Sequence, residues 1–104
     1  LGAARTLAAR LSAVVVLKGS GSVVADPDGR CFVNASGNAS LATAGTGDVL
    51  AGWIGGLWSQ GLDALAAARL GVYSHGLAAD RWAAGGAHAG PLPASHLIEH
   101  LAAL

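Results

Sequence analysis

Apolar positions follow strand-like runs in the first third of the chain and helix-like spacing in the remainder. Leu7 and Leu11 lie four residues apart with arginines near them, which predicts a short amphipathic helix over residues 2–11. Residues 14–17 form a continuous apolar, largely β-branched run, which is typical of a strand buried on both faces in a parallel sheet. The N-terminal region is therefore predicted to contain one helix and one buried strand.

The tetrapeptide Asp-Pro-Asp-Gly at residues 26–29 separates two further apolar runs, at 23–25 and 30–34. Proline presets φ and glycine accepts a positive φ, so this arrangement predicts a β-hairpin. Residues 35–40 are small and polar, and we expect a loop there that becomes ordered around a ligand.

Residues 49–60 are apolar on nearly every side, with two tryptophans among them. Such a pattern predicts a helix that is buried rather than half-exposed. Glycine weakens a helix interior by up to about 1 kcal/mol relative to alanine, so we expect the glycines in this run to permit close approach of a neighbouring backbone. These glycines are Gly52, Gly55 and Gly56.

Two more helices are predicted after this one. Asp63 is placed to cap a long helix that ends near residue 84, where two glycines follow. Residues 94–104 have amphipathic spacing and predict a last helix. The order of helix, strand, hairpin and three helices indicates an α/β fold. One strand and a hairpin make a poor sheet alone, so we expect further strands from upstream or from another chain.

The composition narrows the class of protein. Hydrophobic residues make up 53% of the 104 residues and charged residues 12%, which excludes a disordered tail. The net charge is zero and the basic residues do not cluster, so neither nucleic acid nor an anionic membrane is an expected partner. The single cysteine, Cys31, fits a reducing compartment. No apolar stretch reaches the roughly 18 residues of a membrane span and no signal peptide is evident, so a cytoplasmic location is expected.

A glycine-rich turn holds the most informative chemistry. Gly45, Thr46 and Gly47 are followed at once by Asp48 and then by the apolar run. Glycines let N–H groups converge on a ligand, and a helix start adds N–H donors and the positive end of a dipole. This pattern predicts a site for phosphate or a developing oxyanion. Asp48 is then suited to take a proton from a substrate hydroxyl that attacks phosphorus, or alternatively it only caps the helix.

Lys18 opens a second glycine-rich turn, at residues 18–22, directly after the first predicted strand. Ligand sites of α/β proteins gather at the C-terminal ends of strands, which favours a functional role for Lys18. His75 either lines the site or is a core histidine. His96 and His100 lie four apart on one helical face, and without a third ligand nearby we interpret them as solvated rather than metal-binding.

Several collinear strings together resemble one known family. They are Leu-Lys-Gly at 17–19, Asn-Ala-Ser-Gly-Asn at 34–38, the glycine-rich string at 42–52, and Ala-Ala-Arg-Leu-Gly-Val-Tyr-Ser-His-Gly at 67–76. In this order they resemble the C-terminal part of the NAD(P)H-hydrate dehydratases, which are ribokinase-like repair enzymes. The resemblance covers nearly the whole chain from about residue 14.

The resemblance implies that residues 1–104 are the C-terminal portion of one domain, a ribokinase-like α/β/α sandwich. It also implies dehydration of hydrated NADH or NADPH, driven by ADP or ATP with Mg²⁺. Asp48 is then the catalytic base and faces the hydrated nicotinamide. The implied nucleotide-binding residues are Lys18, Gly19, Ser20, Gly21, Ser22, Asn38, Ala39, Ser40, Leu41, Ala42, Thr43, Ala44, Gly45, Thr46 and Gly47.

Two alternatives stay open at this point. A small-molecule kinase of the same fold, acting on a vitamin precursor or a sugar, would use Asp48 in the same way. A non-catalytic structural fragment is the other alternative, because the family's upstream Pro-Gly-Glu element does not occur in this sequence. An incomplete sheet leaves an apolar edge, so we also expect a homo-oligomer or tight pairing with the rest of a parent chain.

Overall fold

The computed structural model describes residues 2–18, 22–38, 45–84 and 92–102, except for the side chain of His100. Within these residues the chain forms four helices and three strands, in the α/β order that the sequence predicted. They are α1 (Gly2–Leu11), β1 (Val15–Leu17), β2 (Val23–Ala25), β3 (Cys31–Val33), α2 (Thr46–Ser59), α3 (Ala64–Ala84) and α4 (Ala94–Ala102).

The three strands form one antiparallel sheet in the order β1-β2-β3. Val24 at its centre pairs with Val16 on one side and with Phe32 on the other. The first strand is predicted to lie in a parallel sheet with both faces buried, and this prediction is wrong for the pairing with β2. Strand β1 pairs antiparallel with β2, and its residues are half-buried or exposed. Residues 18–22 are too few for a parallel crossover, which takes about a dozen residues or more.

The predicted hairpin turn is confirmed, and Asp26 organises it. One oxygen of its buried carboxylate accepts the N–H groups of Asp28 at 3.1 Å and Arg30 at 2.9 Å, and the other accepts Arg30 Nε at 2.6 Å. Burial would raise the pKa of Asp26, but the hydrogen bonds and charge of Arg30 outweigh it and hold that pKa below its ordinary value. Gly29 takes the positive φ of 96° that the turn requires.

Helix α3 is the centre of the packing, since it contacts α2, α4 and β2. On one side Ala78, Ala79 and Trp82 join α4 in an apolar cluster, and on the other Ala68 and Val72 pack on the sheet. Its N-terminus is capped as predicted, because Asp63 Oδ1 accepts the N–H of Ala66 at 2.8 Å.

The prediction that α2 is buried on all sides is wrong for the described residues. Only Thr46 and Leu50 are buried in it, and Trp58 is 58% exposed. A Cβ added at any of its three interior glycines would meet nothing within 4 Å. Within the described residues α2 packs on α3 and α4, and its Leu50 joins the cluster that includes Val24 of the sheet. The glycine that permits a close contact between α2 and α3 is instead Gly71 of α3. A Cβ added there would lie 2.5 Å from Ile54 Cγ1 of α2.

No helix in the described part of the chain is long and apolar enough to cross a membrane.

Candidate functional site

The turn that begins α2 has the geometry of an anion site. Gly45 is the N-cap in the left-handed conformation, with φ 89° and ψ −12°, and the first helical hydrogen bond runs from Val49 N–H to Gly45 C=O at 3.1 Å. The helix thus begins at Thr46, three positions earlier than the sequence predicted. The N–H groups of Gly47 and Asp48 therefore have no acceptor inside the helix, and they add to the positive end of its dipole.

Lys18 brings a positive charge to the same turn. It follows β1 directly and is exposed, and a Cβ placed on Gly47 would overlap its ammonium group. The absence of a side chain at residue 47 is therefore what permits this contact. Two sequence-predicted residues that are 29 positions apart thus lie together, with a cation directly over the start of a helix. An anion held here would interact with the ammonium group and with the helix N–H groups at once.

Asp48 is exposed in the first turn of α2 and directly follows Gly47 in the sequence. The N-cap position of α2 is occupied by Gly45, and Asp48 lies three residues further, inside the first turn. The alternative prediction that Asp48 caps the helix is therefore wrong. Asp48 is exposed there, and its role as a base stays a prediction.

His75 of α3 contacts the backbone of the turn that begins α2. Its Nε2 lies 3.0 Å from the carbonyl oxygen of Thr46, and the residue is 6% exposed. A carbonyl only accepts, so Nε2 carries the proton of a neutral ring. Burial lowers the pKa of His75 below 6.5, the bond to Thr46 opposes this, and the charge of Lys18 adds to the lowering. The interpretation of His75 as a core histidine is thus confirmed by its burial, while a role in lining a ligand site stays a prediction.

The loop before the glycine-rich segment lies against the same helix. Asn34 Nδ2 donates to the carbonyl of Ser36 at 3.0 Å, and Ser36 Oγ donates to the carbonyl of Tyr73 at 2.9 Å. A Cβ added at Gly76 would lie 2.6 Å from the carbonyl carbon of Ser36 and 2.8 Å from the N atom of Gly37. Residue 76 therefore has to be glycine for the loop to reach this position.

Asp80, one turn further along α3, is a functional candidate that sequence reasoning missed. Its Oδ2 accepts the N–H of Gly37 at 3.0 Å, and its Oδ1 accepts Asn38 Nδ2 at 3.0 Å. A lone acid within a helix resembles any solvated position. Its only sequence signal is its spacing of four residues from Gly76, on the face that the loop approaches.

The remaining predicted site residues are placed as follows. Ser22 is half-buried and its carbonyl accepts the N–H of Asn34 at 2.8 Å, so the end of the Lys18 turn lies beside the Asn34 loop. Nine predicted nucleotide-binding residues lie outside the described part of the chain, namely Gly19, Ser20, Gly21, Ala39, Ser40, Leu41, Ala42, Thr43 and Ala44.

The other candidates take structural positions. His96 stacks on Trp82 with ring centroids 5.4 Å apart, and Cys31 is a half-buried free thiol. Among the described side chains there is no group of three that would hold a metal ion. The side chain of His100 is not among them.

The sequence model of the NAD(P)H-hydrate dehydratase family matches residues 1–102. The chain is 55% identical over 78 residues to a bifunctional NAD(P)H-hydrate repair enzyme of Thermofilum pendens, covering 75% of this chain and 15% of that protein. It is 54% identical over 78 residues to an ADP-dependent (S)-NAD(P)H-hydrate dehydratase of Neisseria meningitidis, with 75% and 26% covered.

A solved structure agrees with these relatives. The ADP/ATP-dependent NAD(P)H-hydrate dehydratase of Bacillus subtilis, co-crystallised with ATP and Mg²⁺, superposes with a TM-score of 0.90 at 40% identity. The match covers 98% of this chain and 36% of that one. The α/β arrangement is therefore that of the ribokinase-like dehydratases, as the sequence predicted. The chain spans about a sixth to a third of the length of these relatives.

Proposed function

The chain belongs to the NAD(P)H-hydrate dehydratase family, and from that premise we propose that it forms the C-terminal portion of one ribokinase-like domain that repairs hydrated NADH and NADPH. ADP or ATP is the phosphoryl donor in this proposal. The observation that carries it is the Lys18 ammonium group against Gly47, at the start of a helix whose first turn exposes Asp48. This arrangement suits an anion that reacts beside a carboxylate.

The nucleotide phosphates bind between Lys18 and the N-terminus of α2. The backbone of both elements is in place before the ligand arrives, because Lys18 directly follows a paired strand and His75 bonds to the carbonyl of Thr46. The predicted residues at 19–22 and 38–44 complete the site. Mg²⁺ accompanies the nucleotide and spreads the charge of its phosphates.

Asp48 is the base of the reaction. Its carboxylate takes the proton of the ring hydroxyl while that oxygen attacks the terminal phosphorus, and AMP leaves from ADP or ADP leaves from ATP. Lys18 and the first N–H groups of α2 stabilise the charge on the transferring group. Phosphate then leaves the ring carbon, the neighbouring carbon loses a proton, and the C–C double bond of the dihydronicotinamide is restored.

The deciding experiment uses the full-length protein with hydrated NADH and ADP or ATP. We expect the absorbance of dihydronicotinamide to recover only when nucleotide is present. The other candidate is a small-molecule kinase of the same fold, which the same cation and carboxylate would serve. Ready phosphorylation of a pyrimidine or thiazole alcohol without recovery of the absorbance would replace the dehydratase proposal with the kinase. Failure to bind any nucleotide would leave a structural role.

Assembly is part of the proposal. Large apolar side chains are exposed on several elements, including Trp58 at 58% and Ile98 at 56%. Exposed apolar surface favours association, so we propose a homo-oligomer in a cytoplasmic setting, with the remainder of the domain covering part of this surface. Light scattering at micromolar concentration checks this, and a monodisperse monomer of the full-length protein would contradict it.

A further inference from the structure

Helix α3 contacts the chain on both sides of the glycine-rich segment. Asp80 binds Gly37 and Asn38 before it, and His75 binds Thr46 after it. The two helical residues are five positions apart, which corresponds to a rise of about 7.5 Å along a rigid helix. The two ends of the segment from Asn38 to Gly45, which holds most of the predicted phosphate-binding residues, are therefore attached to one element.

The half-buried carboxylate of Asp80 accepts two hydrogen bonds from the loop before the glycine-rich segment. Both carboxylate oxygens are used, one by a backbone N–H and one by a side-chain amide, at 3.0 Å each. These partners lie 43 and 42 residues away in sequence. Hydrogen bonds to a charged acceptor are about twice as strong as neutral ones. They therefore set the position of the Asn38 end with respect to the helix, whereas Gly76 only leaves space for it.

We propose that Asp80 is a positioning residue for nucleotide binding, because its carboxylate fixes Gly37 and Asn38 at the entrance of the phosphate-binding segment. This inference rests on the proposed function, since the segment is assigned to the nucleotide there. Asp80 does not itself touch the nucleotide in this proposal. Its effect passes through the loop, so it alters the affinity for nucleotide and leaves the affinity for the hydrated dinucleotide unchanged.

The test compares Asp80→Ala with Asp63→Ala in the full-length protein. Asp63 is a matched control, because it also accepts a backbone N–H, but at the opposite end of α3 and only to cap that helix. Both variants lose stability. Only Asp80→Ala is expected to raise the KM for ADP or ATP, by about tenfold for the loss of a charged hydrogen bond, while the KM for hydrated NADH stays constant.

A conservative variant separates positioning from folding. Asp80→Asn keeps an oxygen for the N–H of Gly37 and loses the second acceptor, so its KM for nucleotide is expected between those of the parent and Asp80→Ala. ADP binding by the parent is measured first by calorimetry, and a parent that binds no nucleotide overturns the proposed function and this inference together. If the parent binds ADP but Asp80→Ala matches Asp63→Ala in both KM values, the positioning role alone is refuted.

Discussion

The contact between Lys18 and Gly47 yields a prediction in which stability and binding change in opposite directions. In Gly47→Ala the new methyl group occupies the place of the Lys18 ammonium group. The displaced atoms are the far end of a flexible side chain, so the chain rotates away at little cost. Residue 47 is helical, and alanine is favoured over glycine in helices by up to about 1 kcal/mol. We therefore expect an unchanged or slightly higher Tm.

Nucleotide binding is expected to weaken at the same time. The ammonium group is moved away from the N-terminus of α2, and a bound phosphate loses one charge-assisted hydrogen bond. Such a bond contributes about 1.5–3 kcal/mol, which corresponds to about 10- to 150-fold in Kd. The gain in helix propensity raises the Tm by at most about 2–4 °C in a domain of about 150–250 residues.

Gly52→Ala is the matched control, because residue 52 lies in the same helix and an added Cβ there meets nothing within 4 Å. It should raise the Tm and leave the Kd for ADP at the parent value. Calorimetry of ADP binding and a thermal melt of the parent and both variants provide the measurement. Equal ADP affinity in Gly47→Ala and Gly52→Ala would refute the idea that Lys18 and the start of α2 hold the phosphates together.

Three further outcomes are expected. Asp48→Asn should lower turnover about 10²–10⁴-fold with ADP affinity retained, and near-parent turnover in steady-state kinetics would contradict its role as base. The unfolding free energy should fall as the pH drops below 6.5, because the unfolded chain binds a proton that buried His75 resists. His75→Gln should reduce this dependence in urea titrations, and an unchanged pH slope would contradict it. Gly76→Ala should destabilise by about 1–3 kcal/mol through overpacking, measured by urea denaturation, whereas a parent-like value would contradict the contact with Ser36.

Features that depend on local chemistry were predictable from the sequence. The hairpin turn follows from proline, glycine and the acceptor Asp26, all within a few residues. The start of α3 follows from Asp63, which caps it. The start of α2 was predicted three residues late because Thr46 and Gly47 have poor helix propensity, and a contact with His75 from another helix fixes the carbonyl there.

Features that depend on distant pairing were not predictable. The pairing of Asp80 with Gly37 joins residues 43 positions apart, and no periodic pattern in either segment indicates it. The apolar residues around α2 predict burial on nearly every side, whereas only Thr46 and Leu50 are buried in the structure. Strand ends and glycine-rich turns predict that Lys18 and Gly47 belong to ligand-binding turns. They do not predict that the Lys18 ammonium group contacts residue 47, which depends on how the elements pack.

The small side chains of α3 connect the packing of the fold to the proposed chemistry. Gly71 lets Ile54 of α2 approach the helix, and Gly76 lets Ser36 of the preceding loop approach it. Both contacts are so close that a side chain larger than glycine would overlap the neighbouring atoms. Along α3, His75 lies between the two glycines and Asp80 lies one turn after Gly76. Because a helix moves as a rigid unit, any shift of α3 relative to α2 displaces both attachments of the glycine-rich segment. Substitutions at Gly71 should thus weaken nucleotide binding through displacement of α3, which calorimetry would detect as a higher Kd for ADP.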